Sequence, residues 1–339
     1  MKRFVLGVFL LALLVGFAGV YMVAKSADVF LEAKPTDVHE ERILEIPRGA
    51  GPKAVSTLLA DAGVVTDAEH FYWFLRYREA TPKLRAGEYR FFTDLLPDEV
   101  LDILANAPEV TRPITFPEGL RLEEMAKIVE ASGFGTEAEY LKLVRDPAYI
   151  AAAGLPVDPP PTSLEGFLLP DTYEFSRDVN TKMIVDAQVG AFVGLWDERR
   201  SARAKDLKLS ANEVVTLASV VEKETGAPAE RPHIAGVFHL RLKKGMKLQS
   251  DPTIIYGLED YDGDIRYSDI RRPHPWNTYV IDGIPPSPIA APGEAAIDAV
   301  LWPMDTNDLF FVSRNDGTHH FSPTYAEHAR MVRKYQSRR

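Results

Sequence analysis

The chain opens on an unbroken apolar stretch. Between Arg3 and Lys25 the 21 residues Phe4 to Ala24 carry no charge and are rich in Leu, Val and Phe. As a helix rising about 1.5 Å per residue, that length spans roughly 30 Å, the hydrocarbon thickness of a bilayer. The pattern predicts one transmembrane helix over residues 4–24 and a polar linker over 25–41. Lys2 and Arg3 precede the helix, so the positive-inside rule places residues 1–3 in the cytoplasm and exports the rest. The competing reading is a cleaved signal peptide. Ala24-Lys25-Ser26 is a passable small-x-small site, but the apolar run exceeds the roughly 7–15 residues of a usual signal core.

A pattern then occurs twice, 70 residues apart and without gaps. Ile46-Pro47-Arg48-Gly49 matches Phe116-Pro117-Glu118-Gly119, Ala62-Gly63 matches Ser132-Gly133, and Thr66-Asp67-Ala68-Glu69 matches Thr136-Glu137-Ala138-Glu139. Each copy reads as a short strand closed by Pro and a turn Gly, followed by an amphipathic helix. The apolar positions are Val55, Leu58, Leu59 and Ala62 in one copy and Met125, Ile128 and Val129 in the other. Gly63 and Gly133 are helix stops, and the Thr-x-x-Glu runs are capping boxes that open a second helix. The first copy continues into a strand ending at Phe92, giving β-α-α-β over Arg42 to Phe92, then a helix over Asp98 to Ala105. A boundary is expected near Asn106 to Pro113.

Further on, four prolines within Pro156–Pro161 exclude helix, and one helix is expected over about Lys182 to Arg203. Ser210 and Glu213 form a capping box opening a helix whose core face is Val214, Leu217, Ala218 and Val221. Leu309–Arg314 and His319–Phe321 flank Asn315-Asp316-Gly317, a hairpin signal, and a basic helix over Tyr325–Tyr335 ends the pattern.

Composition narrows the function. With 39 basic and 49 acidic residues the formal charge is −10, which argues against nucleic acid as a partner. Setting aside Lys2 and Arg3 leaves 37 basic residues against 49 acidic, or −12 for the exported part, so the helix alone must hold it to the membrane. Zero cysteine excludes disulfides, Cys-ligated zinc, iron–sulfur clusters and thiol catalysis. The 8 His are scattered, no His-Glu-x-x-His occurs, and His319 and His320 cannot both point one way from a strand, so no metal site is expected. Glycine-rich nucleotide loops are absent, so no cofactor is expected, and the absence of Gly-x-Ser-x-Gly removes the usual serine esterase cue.

Two acids at the end of the Ser210 helix stand out. At 100° per residue, Glu222 lies about 80° from the centre of the apolar stripe and Glu224 about as far on the other side. They do not face each other, and either is placed for a raised pKa suited to a general acid. Downstream loops hold Gln249, Asp251, Trp276, Asn277 and Tyr279. Such amides, acids and rings suit a carbohydrate cleft.

Taken in order, five runs resemble the YceG-like (MltG) family of membrane-anchored endolytic murein transglycosylases. They are Leu164-Glu-Gly-Phe-Leu-Leu-Pro-Asp-Thr-Tyr173, Ala218-Ser-Val-Val-Glu-Lys-Glu-Thr225, Leu248-Gln-Ser-Asp-Pro-Thr253, Asn277-Thr-Tyr279 and Gly283-Ile-Pro-Pro286. The β-α-α-β piece in turn resembles a LysM-type module, which implies binding of N-acetylated peptidoglycan sugars, with a ligand-free scaffold as the alternative. The expected fold class is α+β. It comprises a single transmembrane helix, a small LysM-like subdomain over residues 42–107 and a larger mixed α/β catalytic domain over 108–339.

The resemblance implies a lyase in the bacterial inner membrane with its bulk in the periplasm. It implies cleavage of the MurNAc-β-1,4-GlcNAc bond of nascent glycan strands, leaving 1,6-anhydro ends, beside penicillin-binding glycan synthases. It assigns catalysis to Glu222, the Glu that opens the Glu-Lys-Glu run, and places Glu165, Asp171, Gln249, Asp251, Asn277 and Tyr279 around the cleft. Any of these six is open to the alternative of bracing a loop. A hydrolytic muramidase and a non-catalytic glycan-binding scaffold are the competing functions; the former leaves reducing ends and the latter leaves glycan uncut.

Overall fold

The computed structural model describes residues 2–80, 84–258 and 261–336. Met1 of the expected cytoplasmic tip, residues 81–83 of the expected subdomain and residues 259–260 and 337–339 of the expected catalytic domain lie outside the described residues. The chain forms two units. One reaches to Arg112 and includes Glu174–Asp178; the other holds Pro113–Tyr173 and the chain from Val179 onward.

In the first unit, α1 (Lys2–Leu31) contains a segment, Phe9–Leu31, long and apolar enough to cross a membrane by length and composition. Its side chains from Phe17 to Val23 include five large apolar ones that are exposed. The helix does not yield to a linker after Ala24. Lys25 to Leu31 contains neither Gly nor Pro, and the last turn has somewhere to dock. Ser26 Oγ lies 2.7 Å from His70 Nε2, and Phe30, 6% exposed, stacks on His70 and meets Phe71 edge-on.

Then come β1 (Glu41–Ile46), α2 (Pro52–Asp61), α3 (Ala68–Tyr77), β2 (Gly87–Phe92) and α4 (Pro97–Asn106). β1 and β2 pair antiparallel, Glu41 opposite Phe92 and Ile46 opposite Gly87. The core is Val55 and Leu59 of α2, Phe71 and Leu75 of α3, Tyr89 and Phe91 of β2, and Val100 and Leu104 of α4. The expected β-α-α-β order is present. The cap of α3 differs from expectation: Asp67, not Thr66, accepts from His70 N at 2.8 Å. With Asp67 at the cap, the third helical residue is His70, so Glu69 is one position short of closing a box.

The strands β3 (Arg112–Thr115) and β4 (Thr172–Phe175) pair in a second sheet, at the points where the chain passes between units. In the second unit, α5 (Leu122–Ser132), α6 (Glu137–Leu143) and α7 (Pro147–Ala152) follow β3. Here the expected signals hold. Gly133 is left-handed at φ 78°, and Thr136 and Glu139 form the capping box of α6. The single helix expected over 182–203 is two, α8 (Thr181–Leu195) and α9 (Glu198–Asp206). Asp197 interrupts it by accepting from Arg200 N at 2.8 Å, a stronger local preference than helix continuation.

The centre of this unit is α10 (Ala211–Glu224), capped by Ser210 and Glu213 as expected. A single apolar face was the expectation, yet all eight residues from Val214 to Val221 are buried. The reason is that α9, α11 (Arg231–Lys243), α12 (Asp251–Tyr256) and α14 (Glu294–Leu301) pack around it. Gly166, at φ 84°, lets a loop come as close: a Cβ there would lie 2.3 Å from Pro288 and 3.1 Å from Val215. Between α12 and α14 lies α13 (Tyr267–Arg271). The hairpin β5 (Phe310–Ser313) and β6 (His319–Ser322) turns at Asn315 and Gly317, both at positive φ, and α15 (Tyr325–Gln336) packs on it.

If the last turn of α1 is part of the first unit's core, Phe30→Ala costs about 3 kcal/mol in urea unfolding of that unit. An exposed neighbour, Val29→Ala, changes it by less than about 0.5 kcal/mol.

Candidate active site

The burial of α10 leaves its last turn to carry two carboxylates in unlike surroundings. Glu222, with a side chain 6% exposed, is committed on both oxygens: Oε1 accepts from Arg231 at 2.8 Å and Oε2 from Gly293 N at 3.1 Å. Arg231 also pairs with Glu118 at 2.8 Å, and Lys223 Nζ donates to Gly119 O at 3.1 Å. Glu222 thus ties α10 to the Pro117-Glu118-Gly119 turn and to the N-terminus of α14, where a carboxylate is favoured by the exposed N–H groups. Burial, then the nearby Glu222 charge, raises the Glu118 pKa.

Glu224 stands in a cleft of about 450 Å³ with Gln249, Asp251 and Tyr279. Its Oε1 accepts from Ser250 Oγ at 2.6 Å. Burial pushes its carboxyl up to about 7, with the Asp251 charge adding to the rise and the Ser250 hydroxyl opposing it. Tyr279 donates to Asp251 Oδ1 at 2.6 Å, and burial raises the phenol. Gln249, exposed and lining the same cleft, has its backbone held at φ 51°, with Gln249 N donating to Thr278 O at 3.2 Å. Phe310, Phe311 and Tyr325 supply ring surface on the hairpin and α15 side.

Three of the residues expected at the cleft are elsewhere. Asn277, 2% exposed, donates through its amide to the carbonyls of Asp269, Ile270 and Arg272 and accepts from Tyr279 N, so it braces the loop that carries Tyr279. Asp171 is exposed; its carbonyl accepts from Phe116 N and its carboxylate from Thr172 N, which stitches the approach to β4. Glu165 is buried at the first turn of α5, where Leu122 N approaches Oε2 at 3.5 Å and Oε1 has no partner among the described residues. Burial pushes its carboxyl up to about 8.

Sequence reasoning missed Ser250, which only a fold places against Glu224. It also missed Arg241, whose guanidinium donates to Leu248 O and Leu309 O and joins the 248–250 loop to the hairpin. Among the described residues no three His, Asp or Glu gather where they would hold a metal ion.

A carboxyl raised toward neutrality, among hydroxyls, an amide and rings, is the chemistry a general acid acting on a polyhydroxylated substrate would need. The chain belongs to the YceG-like family, whose sequence profile matches residues 44–334, as the ordered motifs imply. A relative from Bacillus subtilis (strain 168) named endolytic murein transglycosylase is 28% identical over 331 residues, spanning 94% of this chain and 91% of that protein. Another of the same name from Streptococcus pneumoniae serotype 2 is 28% identical, spanning 89% of this chain and 60% of that longer protein. The crystal structure of a YceG-like protein from Listeria monocytogenes matches with a TM-score of 0.61 at 30% identity, over 86% of this chain and 99% of that one.

Two stability measurements separate the acids. Removing the charge that Arg231 pairs with, in Glu222→Gln, costs about 1–3 kcal/mol in denaturant unfolding. Glu165 has a folded-state pKa of about 8 against an ordinary 4.5, so its stabilising contribution is full below pH 4.5 and is lost as pH rises through about 8. Within that window stability falls by about 1.4 kcal/mol per pH unit from this group, and Glu165→Gln flattens the decline.

Proposed function

We propose that this chain is a membrane-anchored lytic transglycosylase that cuts murein glycan internally, with Glu224 as its acid. Membership of the YceG-like family, with curated relatives named endolytic murein transglycosylase along most of the chain, makes it a murein transglycosylase, a lyase. One observation carries the assignment of the acid: Glu224 faces the cleft with a carboxyl raised to about 7, while both oxygens of Glu222 are spent on Arg231 and Gly293. The motif-based choice of Glu222 therefore passes to its neighbour two residues on.

In this reading the protonated Glu224 gives its proton to the glycosidic oxygen that leaves C1 of N-acetylmuramic acid. The C6 hydroxyl of the same sugar attacks C1 and gives up its proton to a base in the cleft, and no water enters the product, which ends in a 1,6-anhydro ring. Asp251, Tyr279 and Gln249 border the reacting sugar, while Glu165, Asp171 and Asn277 support the surrounding loops. The β1-α2-α3-β2 order supports a LysM-like role for the first unit in gripping N-acetylated sugars. The apolar Phe9–Leu31 segment supports anchoring in the bacterial inner membrane with the remainder in the periplasm, where nascent strands emerge from penicillin-binding synthases.

Glu224→Gln lowers release of anhydro-muropeptides by about 100-fold or more, while Glu222→Gln keeps the reaction at temperatures where it remains folded. Digested glycan shows ends lighter by one water; reducing ends instead would make the enzyme a muramidase. Activity falls as pH rises through about 7, where Glu224 loses its proton. Ser250→Ala removes a donor that favours the carboxylate and moves that alkaline limb to higher pH.

A further inference from the structure

A histidine paired with a carboxylate borders the same cleft. His319 opens β6 and lines the cleft with Glu224. Its backbone N–H donates to both oxygens of Glu230 at 3.0 and 3.1 Å, and its Nδ1 lies 2.7 Å from Glu230 Oε2. A carboxylate only accepts, so the ring proton sits on Nδ1 and the neutral imidazole carries its lone pair on Nε2. Among the described residues nothing hydrogen-bonds Nε2, and it is not a sealed-off polar atom.

The ring is held in place. His319 is 11% exposed in its side chain and Glu230 19%, and Phe311 and Phe321 meet the imidazole edge-on with centroids at 5.4 and 6.3 Å. Close packing sets its position relative to the acid. Gly226 follows Glu224 by two residues, and a Cβ there would lie 2.5 Å from the Gly317 carbonyl in the hairpin turn. His319 comes two residues after that turn glycine, and Glu230 lies on the single 3₁₀ turn Pro228–Glu230 that follows α10. Acid, imidazole and orienting carboxylate are thus carried by segments pressed together at one end of α10. A base oriented by a third group is the recurring form of an activated proton acceptor.

We propose that His319 is the catalytic base of the transglycosylation and that Glu230 is its positioning residue. The proposal rests on the reading of Glu224 as the acid of a lyase. As the muramyl O6–C1 bond forms and the C1–O4 bond breaks, the C6 hydroxyl proton passes to His319 Nε2 and the departing O4 takes the proton of Glu224. The Glu230 carboxylate then steadies the imidazolium. Solvent removes a proton from His319 and returns one to Glu224, so the cycle closes without water in the product.

The test uses the full chain, purified glycan strands and mass analysis of the ends released by His319→Gln, His319→Ala and Glu230→Gln. The carboxamide of His319→Gln can still donate to Glu230 but accepts no proton, so it separates the base from the fold. Its kcat for anhydro-end formation falls about 100-fold or more while KM stays within about threefold. Residual product shifts toward reducing ends, because water captures the sugar that the C6 hydroxyl no longer attacks. Added imidazole restores His319→Ala by about tenfold or more, and Glu230→Gln adds no further loss to His319→Gln. The proposal is overturned if His319→Gln forms anhydro ends within about threefold of wild type, or if the loss lies in KM alone. Failure of imidazole to rescue folded His319→Ala overturns it too. Reducing ends from the wild-type enzyme would instead sink the lyase reading, and a fully active Glu224→Gln would sink the acid assignment.

Discussion

A helix buried on every side must still end somewhere, and the site grows from how α10 ends. Eight consecutive buried residues fix it among α9, α11, α12 and α14, so the two carboxylates of its last turn start from a largely buried backbone. Each must be compensated where it stands. For Glu222 the compensation is the Arg231 charge and the N–H of Gly293, the residue that caps α14. For Glu224 it is a single hydroxyl, Ser250, which leaves burial dominant and keeps the proton near neutrality. One helical turn thus ties one acid to a cation and leaves the other close to its protonated form.

The surrounding architecture serves that asymmetry. Arg241 joins the 248–250 loop, which brings Ser250 to Glu224, to the hairpin that carries ring surface and His319. Asn277 spends its amide on three carbonyls so that the next turn presents Tyr279 to Asp251. Arg241, Ser250 and Asn277 are buried and paired, which is how a loop-built site acquires the definition of a core. Glu165 is the exception. Its carboxyl is buried with one oxygen unpaired among the described residues, a feature that stabilises the fold only while it holds its proton.

Much of this was legible in residue patterns because it depends on local rules. The strand–helix–helix order after Ile46 and again after Phe116, the Ser210 and Thr136 capping boxes, and the Asn315-Asp316-Gly317 turn all follow from neighbours within a few positions. What escaped depends on distant partners. α1 runs to Leu31 because Phe30 finds His70 and Phe71, and the helix from 182 breaks because Asp197 caps Arg200. Helical geometry placed Glu222 and Glu224 symmetrically about the apolar stripe and could not rank them. The ranking comes from Arg231, nine residues later, and Ser250, twenty-six later, neither of which a helical wheel includes. Neighbouring histidines on a strand face opposite ways, which argues against a shared metal but still leaves one of them, His319, lining the cleft.

The central claim is that Glu224 holds a proton near neutral pH. Isotope-edited infrared difference spectra of wild type against Glu224→Gln, recorded along a pH titration, read that carboxyl directly. The account predicts a protonated C=O band that belongs to Glu224 and disappears with a midpoint near 7. A carboxylate already formed in the ordinary range, about 4–5, would contradict it.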